Sequence, residues 1–584
     1  MSFLKIGSCI FFLCTLVACT KNKTIATKDF TTVFEKTAGL ETATYPEIID
    51  FYKQLAADYS TIAIYEMGDT DCGKPLHLVT FNPNRAFEPE FLTTQKQNVL
   101  LINNGIHPGE SDGIDASMML LRDLAQEKIK TPQQTIIAVI PVYNIGGALN
   151  RNSTTRTNQN GPKAYGFRGN ARNYDLNRDF IKVDSKNARA FTSLFRTLRP
   201  ALFIDNHVSN GADYQYTLTH LFTQHNKLGG ALGNYLHHTF MPALEDSLAQ
   251  KKWDITPYVN VFNSTPDKGF TQFFDSPRYS TGYTTLFNTL GMMVETHMLK
   301  PYKKRVEGTY ELMKTFIAIA DKEADKIKKL YHDSINKYPA GAPYPISWKI
   351  DSSKTSQLTF KGYTGTLVSS KVTHSDRLKY DRSLPFTKKV PYQNYFLPHK
   401  SISIPESYVI PKGWWRVLEL LELNQIKMIP VKKDSLLEAT VYKIERFQTV
   451  SNPYEGHYLH YNTQVSAQKE WVELSAGDVI VSTQQEGVRY LLETLEPSAA
   501  DSFFNWNFFD TILQQKEGFS PYVWEDIAFE ILQNNPELQK EFETKKIEEP
   551  LFAKNAYEQL DWIHKRSKYY EKAHLRYPIL RLGD

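Results

Sequence analysis

The sequence predicts an α/β fold: a mixed, mostly parallel central sheet with helices on both faces. A mostly β accessory domain and a helical C-terminal region follow it. Three observations carry this. First, apolar runs at 99–102, 135–142, 201–204 and 290–294 are nearly continuous, as expected of strands covered on both faces. Second, helical patterns lie between them at 114–124, 185–198 and 228–248, the alternation of an α/β sheet. Third, proline and glycine cluster at 339–345, after which the apolar runs become short and turn-spaced.

At 584 residues the chain has room for about two to four domains. The net charge of +4 is too small at this length to point to nucleic acid. Lys5 followed by the apolar stretch 6–18 reads as a secretory leader, so 1–19 is set apart. Its end, Leu16-Val17-Ala18-Cys19, resembles a bacterial lipobox. That implies cleavage before Cys19 and a diacylglycerol on its thiol. The protein is then expected in the bacterial cell envelope, periplasmic or outer-surface, held to the membrane only through its lipid anchor. Residues 20–43 read as a polar tether. Cys9, Cys14 and Cys19 lie in the leader, which leaves Cys72 alone. A disulfide framework and a cysteine-rich metal site are thereby excluded.

The catalytic domain is placed at 44–335. It opens on an amphipathic helix (Ile48, Ile49, Phe51, Tyr52, Leu55), followed by strands at 62–67 and 77–81. The strand at 99–102 ends in Asn103-Asn104-Gly105, and His107 and Glu110 follow on a tight loop. The strand at 201–204 runs into Asp205-Asn206-His207, and that at 290–294 into Glu295-Thr296-His297. If these strands are parallel, His107, Glu110, His207 and Glu295 meet at one carboxyl edge, where α/β sheets bind ligands. Two imidazoles and a carboxylate suit a catalytic zinc, because three protein ligands leave a fourth position open. Glu295, outside that set, is the candidate general base. A helix at 306–331 closes the domain. An accessory domain at 346–485 is expected to have short strands at 358–360, 408–410, 428–431, 439–444 and 478–482. One helix lies at 414–423. The region 486–584 is expected to be helical. His457 and His460 are expected on one alternating strand, as structural residues. The accessory parts are expected to shield an apolar face of the catalytic domain rather than to bind glycan.

The motifs His107-Pro108-Gly109-Glu110, Asp175-Leu176-Asn177-Arg178-Asp179, Asp205-Asn206-His207 and Val294-Glu295 occur in that order. With Tyr45-Pro46-Glu47-Ile48 at the start, residues 44–320 resemble the zinc carboxypeptidases of the carboxypeptidase A type. The resemblance implies one zinc ion on His107, Glu110 and His207, and Glu295 as base. It implies Asn177 and Arg178 on the substrate's C-terminal carboxylate, which a guanidinium fork matches. A further arginine, Arg156 first and Arg168 second, would polarise the scissile carbonyl. A tyrosine before the base, Tyr279 first and Tyr283 second, would contact substrate. Two features depart from the pattern: Asp179 stands where many relatives carry asparagine, and His297 follows the base, where a buried role is expected. The expected function is hydrolysis of a C-terminal peptide bond in a peptide or peptide-like substrate with a free carboxylate. The alternatives are a zinc amidase acting on cell-wall peptides or N-acyl amino acids, and a non-catalytic peptide- or glycan-binding surface lipoprotein.

Overall fold

The structure is a computed structural model that describes residues 28–85, 97–335 and 337–584. The leader, Cys19 and the first part of the expected tether lie outside the described residues. Among the described residues no helix is long and apolar enough to cross a membrane.

Nine strands precede residue 300: β1 (Ile62–Asp69), β2 (Pro75–Phe81), β3 (Asn98–Asn104), β4 (Thr135–Ile140), β5 (Leu202–Ser209), β6 (Leu218–Phe222), β7 (Ile255–Pro257), β8 (Phe270–Thr271) and β9 (Leu290–His297). All but β8 form one sheet in the order β1-β2-β4-β3-β5-β9-β6-β7. Its centre, β4-β3-β5-β9, is parallel. β2 and β6 run antiparallel to that centre. The continuous apolar runs have the cause inferred from the sequence. In β3, Leu100 and Ile102 enter one core with the helices Tyr45–Asp58, Asp112–Ala125 and Tyr302–Lys322. Val99 and Leu101 enter a second core with the helix Lys186–Leu198 on the opposite face. A strand with a core on each face has no side left for polar residues.

Several expectations are corrected. The tether is folded from Phe30: Phe30 and Phe34 are buried, and Thr32 and Glu35 form a capping box on the helix Val33–Lys36. The expected helix at 228–248 begins two residues later: a short turn His225–Leu228 ends at Gly229, and the helix then runs unbroken from Gly230 to Gln250, with one wider turn at Leu236–Phe240. Gly229 and Gly230, at φ +69° and +59°, supply the left-handed backbone between the turn and the helix. The closing helix is two, Tyr302–Lys322 and Ala324–Ile335.

The accessory strands are longer than expected. They are β10 (Pro343–Ile350), β11 (Ser356–Ser369), β12 (Asp376–Gln393), β13 (Phe396–Ser403), β14 (Ser407–Ile410), β15 (Ile429–Pro430), β16 (Ser435–Thr449), β17 (His460–Leu474), β18 (Val479–Ser482) and β19 (Leu580–Leu582). β11 pairs with the largely exposed, 18-residue β12, and β16 with β17. Their ladders satisfy the backbone without an apolar face, so hydropathy marks only the buried parts. His457 and His460 do not share a strand: His457 sits in a bridge with Tyr454, and His460 opens β17.

The C-terminal region is not purely helical, and it is not a body apart. β19 inserts between β14 and β16. Val488–Leu495 is buried on every side, in the same core as Leu76, Phe191 and Phe203 of the catalytic part. The accessory region thus covers one apolar face of the central sheet and its helix.

Beneath the site, Asp115 on the helix Asp112–Ala125 is fully buried and accepts the Tyr302 hydroxyl. Burial pushes its carboxyl up to about 7, against the hydrogen bonds from Thr42 and Tyr302. A raised folded-state pKa favours folding below the ordinary carboxyl value, about 4, and that contribution is lost as pH rises through 7. Thermal unfolding midpoints of wild type are expected to fall between about pH 4 and 7, with a shallower slope in Asp115→Asn. Equal slopes would reject the assignment.

Candidate metal centre

The strand ends are first locked together. The Asn206 side-chain amide donates to Asn104 Oδ1 at 2.8 Å, and that of Asn103 to Asp205 Oδ1 at 3.2 Å. Beyond β3 the Glu110 N–H donates to the His107 carbonyl at 2.8 Å, closing a turn. The turn brings His107 Nδ1 within 3.2 Å of Glu110 Oε1. Gly109 keeps the turn bare: a Cβ there would lie 2.5 Å from Arg156 Cδ. His207 follows on β5 and is the register partner of Glu295 on β9.

His107, Glu110 and His207 are all buried, with ligand atoms within 4.8 Å of one another. Both Nδ1 atoms face Glu110: His107 at 3.2 Å from Oε1 and His207 at 3.1 Å from Oε2. Both Nε2 atoms point outward to carboxylates, His107 to Asp175 Oδ1 at 2.9 Å and His207 to Asp205 Oδ2 at 2.8 Å. A carboxylate on the outer nitrogen fixes the ring and leaves the inner nitrogen as a ligand. The donor set and its outer partners therefore fit a cation such as zinc.

The electrostatics agree. Burial disfavours the Glu110 charge, but His107 and Arg156 hold its carboxyl well below the usual range. Burial opposes charge on His207 too, yet Asp205 and Glu110 hold it well above the ordinary histidine value. Arg156 Nη1 donates to Glu110 Oε1 at 3.0 Å, and the Val208 N–H to Oε2 at 2.9 Å. Glu295 is half-buried, and its carboxylate makes no hydrogen bond among the described residues. Burial pushes it up to about 8; Glu110 and Asp205 add to the rise and His207 opposes it.

One cavity of about 570 Å³ is lined by the triad, Glu295, Arg156, Arg168, Asn177, Arg178 and Tyr279. Asp175 caps the short turn Leu176–Arg178 by accepting the Asn177 N–H at 2.9 Å. Asn177 Oδ1 accepts the Ser280 N–H at 3.1 Å, and the Arg178 guanidinium lies 4.4 Å from the Tyr279 ring centre. Both arginines that sequence spacing left open reach the cavity. Arg156 touches Glu110, while Arg168 holds Asp175 at 2.8 Å and is half-exposed. The tyrosines separate. Tyr283 is fully buried among Phe180, Phe195 and Phe287, and its hydroxyl donates to Asn424. Tyr279 alone of the two lines the cavity. Asp179 turns inward onto the buried Lys182 at 2.8 Å and the Ser185 backbone N–H at 2.9 Å. His297 packs 4.4 Å from the Tyr214 ring and bonds the Ala212 carbonyl at 2.7 Å, away from the triad.

Sequence reading passed over the orienting roles of Asp175 and Asp205. The second had a signal, because residues two apart on a strand face the same way. Asp175 had none.

No family model matches the chain. Carboxypeptidase 2 of Trichophyton equinum is 22% identical over 451 residues, covering 72% of this chain and 77% of the relative. Carboxypeptidase 2 of Trichophyton rubrum is 22% identical over 477 residues, covering 78% and 81%. A metallo-carboxypeptidase structure from Burkholderia cenocepacia aligns over 48% of this chain and 68% of its own, at 16% identity and a TM-score of 0.35. One from Pseudomonas aeruginosa, in complex with (2-guanidinoethylmercapto)succinic acid, aligns over 49% and 70%, at 12% identity and a TM-score of 0.37. These relatives match more than two thirds of this chain, and His107, Glu110, His207 and Glu295 lie at the carboxyl ends of the parallel strands. The chain is therefore similar to carboxypeptidases over more than two thirds of its length, at 22% identity.

Proposed function

We propose that the protein removes the C-terminal residue from a peptide substrate, using one zinc ion at His107, Glu110 and His207. The observation carrying this is that a cation triad, an unligated carboxylate and a guanidinium share one cavity. Zinc, when bound, would acidify a water and polarise the scissile carbonyl. The remaining work belongs to side chains. Arg178 pairs with the substrate's terminal carboxylate, and Tyr279 behind it holds the guanidinium in plane. Asn177 lies beside it on the same turn. Arg156 supplies a donor to the carbonyl oxygen as negative charge builds there. Glu295 takes the proton from the attacking water and passes it to the departing amine nitrogen. Its raised pKa makes it a stronger base than an exposed glutamate. A cation at the triad draws that value back down, since opposite charge favours the carboxylate.

Arg178→Ala is expected to raise KM for dipeptides with a free C-terminus by roughly 10–100-fold, the loss of a charge-assisted pair at about 1.4 kcal/mol per tenfold. Substrates with an amidated C-terminus should be poor for wild type and indifferent to the substitution. Equal turnover of free and amidated peptides by wild type would sink the carboxypeptidase reading.

A further inference from the structure

The accessory region reaches the site at one turn. The backbones of Tyr454 and His457 pair with each other, and Glu455 and Gly456 form the tip at φ +50° and +80°. Gly456 lies against Tyr174, where a Cβ would be 3.1 Å from the ring. Glu455 Oε2 accepts the Asp175 backbone N–H at 2.8 Å. Asp175 is a node. Its side chain holds His107 at 2.9 Å and Arg168 at 2.8 Å, caps the turn carrying Asn177 and Arg178, and lies 3.9 Å from the Arg178 guanidinium. Other accessory residues grip the flanks. His457 pairs with Asp184 at 2.7 Å, and Asp501 holds the Arg278 backbone and guanidinium at 2.9 and 2.7 Å, one residue before Tyr279.

We propose that Glu455 is a positioning residue: by fixing the Asp175 backbone it sets His107 for the metal and Arg178 for the substrate carboxylate. Both halves rest on the function proposed above, the His107 half on its metal site and the Arg178 half on its substrate. A carboxylate accepting a backbone N–H is a charge-assisted bond. A group that immobilises a ligand's orienting partner acts on the ligand through it. The catalytic part alone leaves that N–H without this acceptor, so the accessory region completes the site as well as covering a sheet face.

The test uses the full-length protein with Glu455→Ala, Glu455→Gln and His457→Ala. Zinc affinity is measured by chelator competition, with KM and kcat on a free dipeptide and the thermal midpoint. Glu455→Ala is expected to weaken zinc binding about tenfold and raise KM about tenfold, with kcat and the midpoint little changed. Glu455→Gln, whose amide oxygen accepts the same N–H, should restore both. His457→Ala, which removes a neighbouring grip that does not touch Asp175, should lower the midpoint and spare zinc affinity. Wild-type zinc affinity and KM in Glu455→Ala would overturn the proposal. So would losses that follow the midpoint and are not restored by glutamine. If wild type binds zinc and cleaves no peptide, the proposed function fails, and the zinc measurement still decides Glu455.

Discussion

Glu295→Gln is expected to lower kcat by about 10²–10⁴-fold, the usual share of a general acid–base group, or about 3–5 kcal/mol of barrier. Glutamine keeps the shape and removes the proton acceptor. Zinc content should be unchanged, because Glu295 is not among the three converging ligands. Stability should not fall, since the substitution takes a charge-bearing group out of a site where burial disfavours the charge. Elemental analysis of purified variant and wild type, beside turnover of a dipeptide, makes the comparison. Wild-type turnover in the variant would remove Glu295 from the mechanism.

His207→Ala is expected to go further, because it removes a ligand rather than a base. Loss of an orienting partner alone costs about 10–100-fold in metal affinity, so loss of the imidazole should exceed about 100-fold. Asp205 would then face a gap, with only Ser280 and Asn103 as side-chain donors among the described residues. Zinc remaining after dialysis against a weak chelator is the readout, with activity falling in parallel. Full occupancy in the variant would place the metal elsewhere. The two variants separate the roles: one keeps the ion and loses the chemistry, the other loses both.

The residues legible in the sequence share a physical cause. β3, β4, β5 and β9 are buried on both faces, so their composition is forced to be apolar. A parallel arrangement then sends their carboxyl ends to one edge. That was enough to bring His107, Glu110, His207 and Glu295 to one place without knowing a single contact. The long hairpins β11–β12 and β16–β17 were underestimated for the converse reason: backbone pairing holds them, and exposed side chains leave no pattern.

What the sequence determined by itself is the set of groups whose place follows from strand direction: His107 and Glu110 after β3, His207 on β5 and Glu295 on β9; Asn177 and Arg178 came only through the family resemblance. What only the tertiary structure decided is every relation that depends on where a loop lands. Tyr279 faces the cavity while Tyr283, four residues on, is core. Arg156 and Arg168 both reach the site from one long polar loop, Arg156 on Glu110 and Arg168 on Asp175, with Glu110 at a longer 3.8 Å. Glu455 meets Asp175 across 280 residues of chain. Burial constrains residue type at each position of a strand, and so leaves its mark locally. A hydrogen bond between distant loops constrains only a pair, and a single sequence carries no mark of pairs.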